Sequence, residues 1–451
     1  MADPDQLFHG KRITVIGLGV LGRGLGDTLF LIRRGARVTV TDLKPPEELA
    51  GSLEKLRGLP VTLRLGRHDP QDFIDADMVL RNADVPRSSR FLAIAREHGV
   101  PVEMDESLFC KHFSGKVVGI TGTRGKTTTT ILVHKILTAG GFTAWLGGNI
   151  LGCATLPLLD GAGPEDVAVL ELSSWQLQGF DEARISPHAS VFTNIYPDHL
   201  NRYRSMADYI EDKKAIYRHQ RDDDFCLFNG DQPETAKLAT EAPAGAHFFR
   251  PDNVPVSWKI RLPGLHNRHN VAAAAELTRR MGVPEDTIRR VVEEFTGVEH
   301  RLEWLGEKDG VGFVNDSTST TPVAGMAALE SMPGRRVLLI AGGADKNLDL
   351  TPFAEAAVKR CARIALLNGT ATDALEKAML AAGGKELLTG RFADLERAVH
   401  ELYRGARQGD VVLLSPGCAS FGLFRNEYHR GETFVAICRE ILNDGTSLPK
   451  G

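Results

Sequence analysis

Cysteine is scarce in this chain, six residues in 451, and they stand far apart at Cys110, Cys153, Cys226, Cys361, Cys418 and Cys438. No CxxC pair occurs, which excludes a thiol-redox motif or a zinc ribbon, and a chain of this length needs no disulfide staples. Free thiols in a reducing cytoplasm are expected. An excess of one charge is also missing: 54 Lys and Arg against 58 Asp and Glu leave a net charge of −4. A nucleic-acid binder would be basic, so no nucleic-acid partner is expected. No run approaches the roughly 18 apolar residues of a membrane span. The polar start MADPDQLFHGKR lacks an apolar signal core. A cytoplasmic protein with no membrane partner is therefore expected, and a monomer is expected without any of these features deciding it. With 42% hydrophobic and 25% charged residues the chain is not a disordered one.

Glycine, by contrast, is plentiful at 46 residues, which suits tight turns and close backbone approach to phosphates. At roughly 150 residues per domain the length predicts about three domains. Lys11–Ile16 reads as a strand, Gly17-x-Gly19-x-x-Gly22 as a turn, the stretch to Ile32 as a helix and Arg37–Thr41 as a second strand ending at Asp42. That order is the context of a dinucleotide-type fold. Further strands are expected at Asp77–Leu80 and Pro101–Met104, with a helix over Ser89–His98. Next come strands at Val167–Leu172, Ala189–Asn194 and Asp224–Asn229. Helices are expected over Thr128–Ala139, Met206–His219 and Asn270–Met281. The last strands are Val337–Ala341, Arg363–Leu367 and Val411–Leu414. Polar stretches at Phe109–Lys116 and Phe295–Arg301 divide the chain into expected domains 1–112, 113–297 and 298–451. Strands alternating with helices throughout predict an α/β protein with parallel sheets covered on both faces.

The strongest local signal is Val117-Val-Gly-Ile-Thr-Gly-Thr-Arg-Gly-Lys-Thr-Thr128. An apolar strand runs into a glycine-rich turn, and Gly125-Lys126-Thr127 opens a helix. Backbone N–H groups there point at phosphate oxygens, and the helix N-terminus adds partial positive charge. Lys126 is expected against the β- and γ-phosphates, and Thr127 offers a hydroxyl to Mg²⁺. The alternative is a plain turn with a solvated lysine. The strict G-x-x-x-x-G-K-[ST] spacing fails, because Ile120 stands five residues before Gly125. The first glycine motif is weaker: it allows a phosphate on its helix or a mere tight turn, and it does not specify NAD.

Two more strand ends carry chemistry. Glu171 closes the apolar run Val167–Leu170, where ligands bind in open α/β sheets, and could hold Mg²⁺ or be an exposed edge acid. Val191–Asn194 leads to Asp198-His199, whose imidazole could reach a metal or be structural.

Taken in order these segments resemble one family, the Mur ligases of bacterial cell-wall synthesis. The strings are TGTRGKT at 121–127, GGNI at 147–150, ELSSWQL at 171–177, TNIYPDHL at 193–200 and Lys213 within 209–217. LPGLHNRHN at 262–270, HRLE at 300–303, NDSTST at 315–320, AGGADK at 341–346 and LSPGCAS at 414–420 complete the set. The resemblance spans nearly the whole chain. It is strongest to the branch that adds D-glutamate to UDP-N-acetylmuramoyl-L-alanine, through the Rossmann-like N-terminal region, the ELSSWQL string and the SPGCAS string. Four positions depart from that branch: Arg81–Pro86 stands where an SPGI-like loop is usual, Asn201 where an Asp is, Thr318 where a Lys is, and Glu427 where an aromatic is.

The resemblance implies a Rossmann-like N-terminal domain, a P-loop-type central domain and a Rossmann-like C-terminal domain. It implies an ATP-dependent ligase. The substrate carboxylate attacks the γ-phosphate, and the D-glutamate amine then displaces phosphate from the acyl phosphate. It places ATP on Gly122, Thr123, Gly125, Lys126, Thr127 and Thr128, with Asn267 and Asn270 on adenine, Asp316 on ribose and Arg301 on phosphate. Thr127 and Glu171 would hold one Mg²⁺, and His199 and Lys213 a second. Lys213 would be carbamylated, which turns a repelling cation into an anionic oxygen ligand. On composition alone its neighbour Lys214 is equally eligible, and the pair could simply be solvated helix lysines. Asn149, Ser173 and Gln176 would contact the muramoyl substrate, Asp42 the uridine, and Thr320, Lys346 and Ser420 the D-glutamate. Other readings are a different Mur ligase or folylpolyglutamate-synthetase relative, a nicotinamide-dependent oxidoreductase, and a non-catalytic paralogue.

Overall fold

The computed structural model describes residues 7–19, 22–150, 153–199, 202–262 and 264–443. Most of the polar start, Val20 and Leu21 of the first glycine motif, Leu200 and Asn201 after the Asp-His pair, and Pro263 lie outside the described residues.

β-Branched and leucine-rich runs form three sheets. In the first, β1 (Arg12–Ile16), β2 (Arg37–Asp42), β3 (Val61–Leu65), β4 (Met78–Arg81) and β5 (Val102–Glu103) lie in the order β3-β2-β1-β4-β5, all parallel. The order reverses beside β1, so a crevice opens at the strand ends that carry Gly17, Asp42 and Asn82. The second sheet holds β6 (Lys116–Thr121), β7 (Ala144–Gly148), β8 (Val167–Glu171), β9 (Ala189–Phe192), β10 (Phe225–Asn229) and β11 (Gly245–Phe249). Its order is β11-β10-β9-β6-β8-β7. β6 lies between β8 and β9, so the phosphate loop and Glu171 leave the sheet side by side. The third sheet is β12-β13-β17-β14-β15-β16, from β12 (Glu303–Lys308), β13 (Val311–Asn315), β14 (Arg336–Gly342), β15 (Cys361–Leu367), β16 (Leu388–Phe392) and β17 (Asp410–Leu414).

The alternation predicted parallel sheets, and one pair departs from it: β12 pairs antiparallel with β13. Asp309 and Gly310 join them with φ of 51° and 76°, and two successive positive φ angles are what a tight hairpin turn requires. The helix expected over Met206–His219 also ends early, at Lys213, and Lys214–Ile216 tighten into a 3₁₀ turn. Ala215, Ile216 and Tyr217 are all buried in one core, and the tighter turn delivers them there. The helix expected from Asn270 begins five residues sooner, spanning Leu265–Arg280. Its alanines Ala272–Ala275 are fully buried with Leu132, Val133, Ile136 and Leu137 of the helix that follows the phosphate loop. Small side chains let the two helices approach closely beneath the loop. All six cysteines are free thiols. Among the described residues no helix is long and apolar enough to cross a membrane.

Candidate active site

The helix after the phosphate loop starts at Lys126 and is capped by Gly125 at φ 79°. A Cβ on Gly125 would stand 2.1 Å from Asn270 Oδ1, so only glycine admits both the turn and that close approach. Gly122 is equally confined: a Cβ there would meet Thr193 Oγ1 at 1.9 Å. Lys126 Nζ bends back to donate to Thr123 O at 3.1 Å. Burial lowers its ammonium to about 8, against the attraction of Glu171 and with the repulsion of Arg124 and Arg301.

Glu171 stands at the end of β8, 2% exposed. Thr127 Oγ1 donates to its Oε2 at 2.6 Å, and Asn149 Nδ2 to its Oε1 at 2.9 Å. Arg301 Nη2 reaches across from the third sheet to Thr127 Oγ1 at 3.0 Å. Lys126, Thr127, Glu171, Asn149 and Arg301 therefore form one polar group around the loop.

Asp198 anchors a second group. Its carboxylate is 3.4 Å from Arg124 Nη2, 3.7 Å from Lys346 Nζ and 3.7 Å from His199 Nε2. Burial opposes its ionisation, yet Arg124, Lys346, His199 and Lys126 hold it well below the usual carboxylate range. His199 takes a left-handed φ of 55° and lies against Trp175, ring centres 4.7 Å apart. Burial lowers its pKa to about 4 in spite of Asp198, so the ring is neutral at pH 7. Lys213 is 1% exposed. It donates to Gly122 O at 2.9 Å and Thr121 Oγ1 at 3.3 Å, with its Nζ 4.8 Å from the centre of the Tyr209 ring. Burial, then Lys126, push its pKa well down. Lys214 points away, into ion pairs with Glu211 and Glu241. Among the described residues no group of three or more His, Cys, Asp and Glu is arranged to hold a metal.

Between these groups and the third sheet lies a cavity of about 550 Å³, bordered by Thr128, Asn267, Asn270, Arg301 and Asp316. That volume suits a nucleotide-sized ligand. Asp316 accepts from Leu302 N at 3.1 Å and from the hydroxyls of Ser415, at 2.9 Å, and Ser319. Burial still raises its carboxyl to about 6. Lys346 donates to Thr320 Oγ1 at 3.1 Å. Ser420 is next to Ala419, which pairs with Ala344, and its hydroxyl is buried without a hydrogen-bond partner.

Other expected contacts are internally engaged. Ser173 and Gln176 form a capping box on the helix Ser174–Ala183, and Gln176 Nε2 donates to Glu106. The S-x-x-Q spacing carries that capping signal in the sequence. Asp42 accepts from Gly19 N at 3.2 Å and Lys44 N at 2.9 Å, which ties it to the first crevice. In the atypical loop Asn82 Nδ2 donates to Gly17 O at 3.0 Å. Arg81 is buried and reaches Gln178, with Glu182 at 3.8 Å. Arg23, Arg124 and Asp198 join the expected residues here; Arg124 and Asp198 lie inside the TGTRGKT and TNIYPDHL strings, flanking the expected ligands.

Two family profiles match the chain in order: the Mur ligase middle domain over residues 120–249 and the Mur ligase glutamate ligase domain over 300–418. The UDP-N-acetylmuramoylalanine–D-glutamate ligase of Roseiflexus sp. (strain RS-1) is 42% identical, over 95% of this chain and 98% of its own length. That of Symbiobacterium thermophilum is 36% identical, over 96% and 98%. Among solved structures, the UDP-N-acetylmuramate-alanine ligase MurC of Thermotoga maritima superposes with a TM-score of 0.64 at 19% identity, covering 96% of this chain and all of its own. The MurF ligase of Thermotoga maritima in complex with ADP gives 0.61 at 17%, over 97% and 96%; both show the shared fold. End-to-end likeness to the curated relatives settles the lineage: this chain belongs to the Mur ligases, in the family of the UDP-N-acetylmuramoylalanine–D-glutamate ligases.

Proposed function

We propose that the chain joins D-glutamate to UDP-N-acetylmuramoyl-L-alanine at the expense of ATP, in peptidoglycan precursor synthesis. The observation that carries this reading is the convergence of Lys126 and Arg301 on the loop where Thr127 meets Glu171, beside the 550 Å³ cavity. A carboxylate attacking a triphosphate brings two anions together, so fixed positive charge must be waiting there. The L-alanyl carboxylate oxygen attacks the γ-phosphorus and ADP leaves. The D-glutamate nitrogen then attacks the acyl carbon, loses a proton, and phosphate departs.

In this reading residues 1–112 bind the nucleotide-linked substrate, 113–297 bind ATP, and 298–451 bind the amino acid. Asn267 and Asn270 meet adenine, Asp316 the ribose, and Gly122, Thr123, Gly125 and Thr128 the phosphates. Asp42 meets the uridine, Asn149 meets the muramoyl part from its place beside Glu171, and Ser173 and Gln176 meet it once released from their internal contacts. Lys346, Thr320 and Ser420 receive D-glutamate, with Lys346 as carboxylate counter-ion. Glu171 and the Thr127 hydroxyl, 2.6 Å apart, supply the hard oxygen donors that Mg²⁺ takes alongside phosphate oxygens. A divalent cation held by Glu171 and Thr127 would supply charge neutralisation at the transferring phosphoryl group. His199 offers a neutral nitrogen to a second ion. Lys213, whose burial favours the neutral amine that CO₂ must meet, would take that role as a carbamate, since its ammonium has no lone pair. The chain works as a monomer in the cytoplasm.

Phosphate release from ATP tests the reading. Release should require UDP-N-acetylmuramoyl-L-alanine and D-glutamate together. Release that ignores either substrate refutes it.

A further inference from the structure

Arg23 is the first residue of the helix that follows the N-terminal glycine turn, with Gly22 as its cap at φ 86°. Its Nη1 donates to Asn149 Oδ1 at 2.9 Å, across 126 residues of sequence. A guanidinium has donors and no acceptor. The Asn149 oxygen must therefore face Arg23, and the amide NH₂ must face the other way. On that other side Nδ2 donates to Glu171 Oε1 at 2.9 Å, while Asn149 N donates to Glu171 O at 2.8 Å. The chain continues through Thr127 to Arg301. Five side chains from all three sheet units thus form two lines of hydrogen bonds that both end on the Glu171 carboxylate.

The neighbourhood is built to bring Arg23 there. Gly26, one turn along the helix, has room for no side chain: a Cβ would meet Ala154 Cβ at 2.4 Å, so the helix is pressed onto the loop that carries Asn149. Asp27, Asp105 and Glu106 are buried around the cation at 3%, 7% and 0% exposure. Burial and Asp105 push the carboxyls of Asp27 and Glu106 well up, toward the neutral form. A cation packed among three buried acids is a costly way to fill a seam that apolar residues would fill at less expense, which directs attention to what the cation orients.

We propose that Arg23 is a positioning residue for the phosphate centre: it fixes which way the Asn149 amide faces and thereby holds the Glu171 carboxylate ready for Thr127 and a divalent cation. The proposal rests on the ligase reading above. Without Arg23 the amide can turn its oxygen toward Glu171, which sets two acceptors against each other. Partners of this second rank change metal affinity by about 10- to 100-fold.

The test reads cation binding without turnover. Free Mn²⁺ is followed by electron paramagnetic resonance in the presence of ADP and the full chain. Arg23→Met should weaken Mn²⁺ about tenfold while ADP affinity measured in chelator stays within twofold of wild type. Asn149→Ala should do the same, and the double variant should be no worse than either single one. Arg23→Lys, which also only donates, should restore most of the affinity. If Arg23→Met does not fold, Arg23→Gln carries the same expectation, because a neutral amide no longer dictates how Asn149 faces. Wild-type Mn²⁺ affinity in the folded Arg23 variant, or losses that multiply in the double variant, overturns the proposal while ligation by the wild-type chain stands. A wild-type chain that binds no Mn²⁺ with ADP overturns the ligase reading beneath it.

Discussion

Asp316 can be made neutral without changing its shape, and the structure gives the size of the effect. Its carboxyl is about 6 in the folded chain against an ordinary 3.8, because burial penalises the charge more than its three donors repay. A shift of about two pK units is worth about 3 kcal/mol. The pKa is raised, so this stability is complete below pH 3.8 and is lost as pH rises through 6. Above that pH the folded protein carries a charged group that it would hold more cheaply protonated. Asp316→Asn removes the titration. The Ser319 and Ser415 hydroxyls can rotate to accept from the new NH₂, so the hydrogen bonds survive. The variant should be more stable than wild type at pH 8, by an amount approaching ~3 kcal/mol, and the two should converge near pH 4. Urea denaturation at several pH values, followed by the fluorescence of Trp304 in the same sheet unit, measures the difference. Nucleotide affinity should fall in the same variant if the carboxylate receives the ribose. Equal stability at pH 8, or a difference that does not shrink toward pH 4, would refute the reasoning.

Lys126→Ala should abolish ATP-dependent ligation while circular dichroism and the unfolding midpoint stay close to wild type, since its charge acts on the transferring phosphoryl group. Lys346→Ala should weaken D-glutamate by roughly 1.5–3 kcal/mol and ATP hardly at all; equal losses in titration calorimetry would make it a structural residue. Lys213→Ala should lose most activity and recover part of it in acetate or formate, whereas Lys214→Ala, which loses only surface ion pairs, should stay within about 0.5 kcal/mol of wild-type stability and keep its turnover. An active Lys213→Ala variant without added acid would remove Lys213 from the metal site.

What could be read from the sequence were features written in consecutive residues. The strand, glycine turn and Gly125-Lys126-Thr127 stood in one string, and so did Glu171 at the end of its apolar run. Tyr209 and Lys213, four apart, share a helix face, and their contact follows. The hairpin at Asp309-Gly310 was equally visible, but the α/β alternation obscured it. What could not be read depends on distant chain segments meeting. Nothing near Arg23 announces Asn149, and nothing in Pro197-Asp198-His199 says that Lys346 comes to Asp198. The early end of the helix at Lys213 is likewise set by the core that receives Ala215, Ile216 and Tyr217, which periodicity within the helix does not contain. Gln176, expected to face substrate, also caps its helix and donates to Glu106, and of those two contacts only the cap is written in the S-x-x-Q spacing.

The grip of the third sheet unit on the middle one has a thermodynamic consequence. Arg301 holds Thr127, Lys346 approaches Asp198, and Arg124 reaches both Asp198 and Thr321. These are the groups that a triphosphate and an amino-acid carboxylate would claim. Each ligand arriving alone must displace an internal partner, so its measured affinity is a difference between two contacts and not the worth of one. A first ligand that loosens the grip removes part of that cost for the second. These contacts therefore build in synergy: the substrates should bind weakly one at a time and tightly as a set, with their anions taking over the bridging that Asp198 performs between the two units.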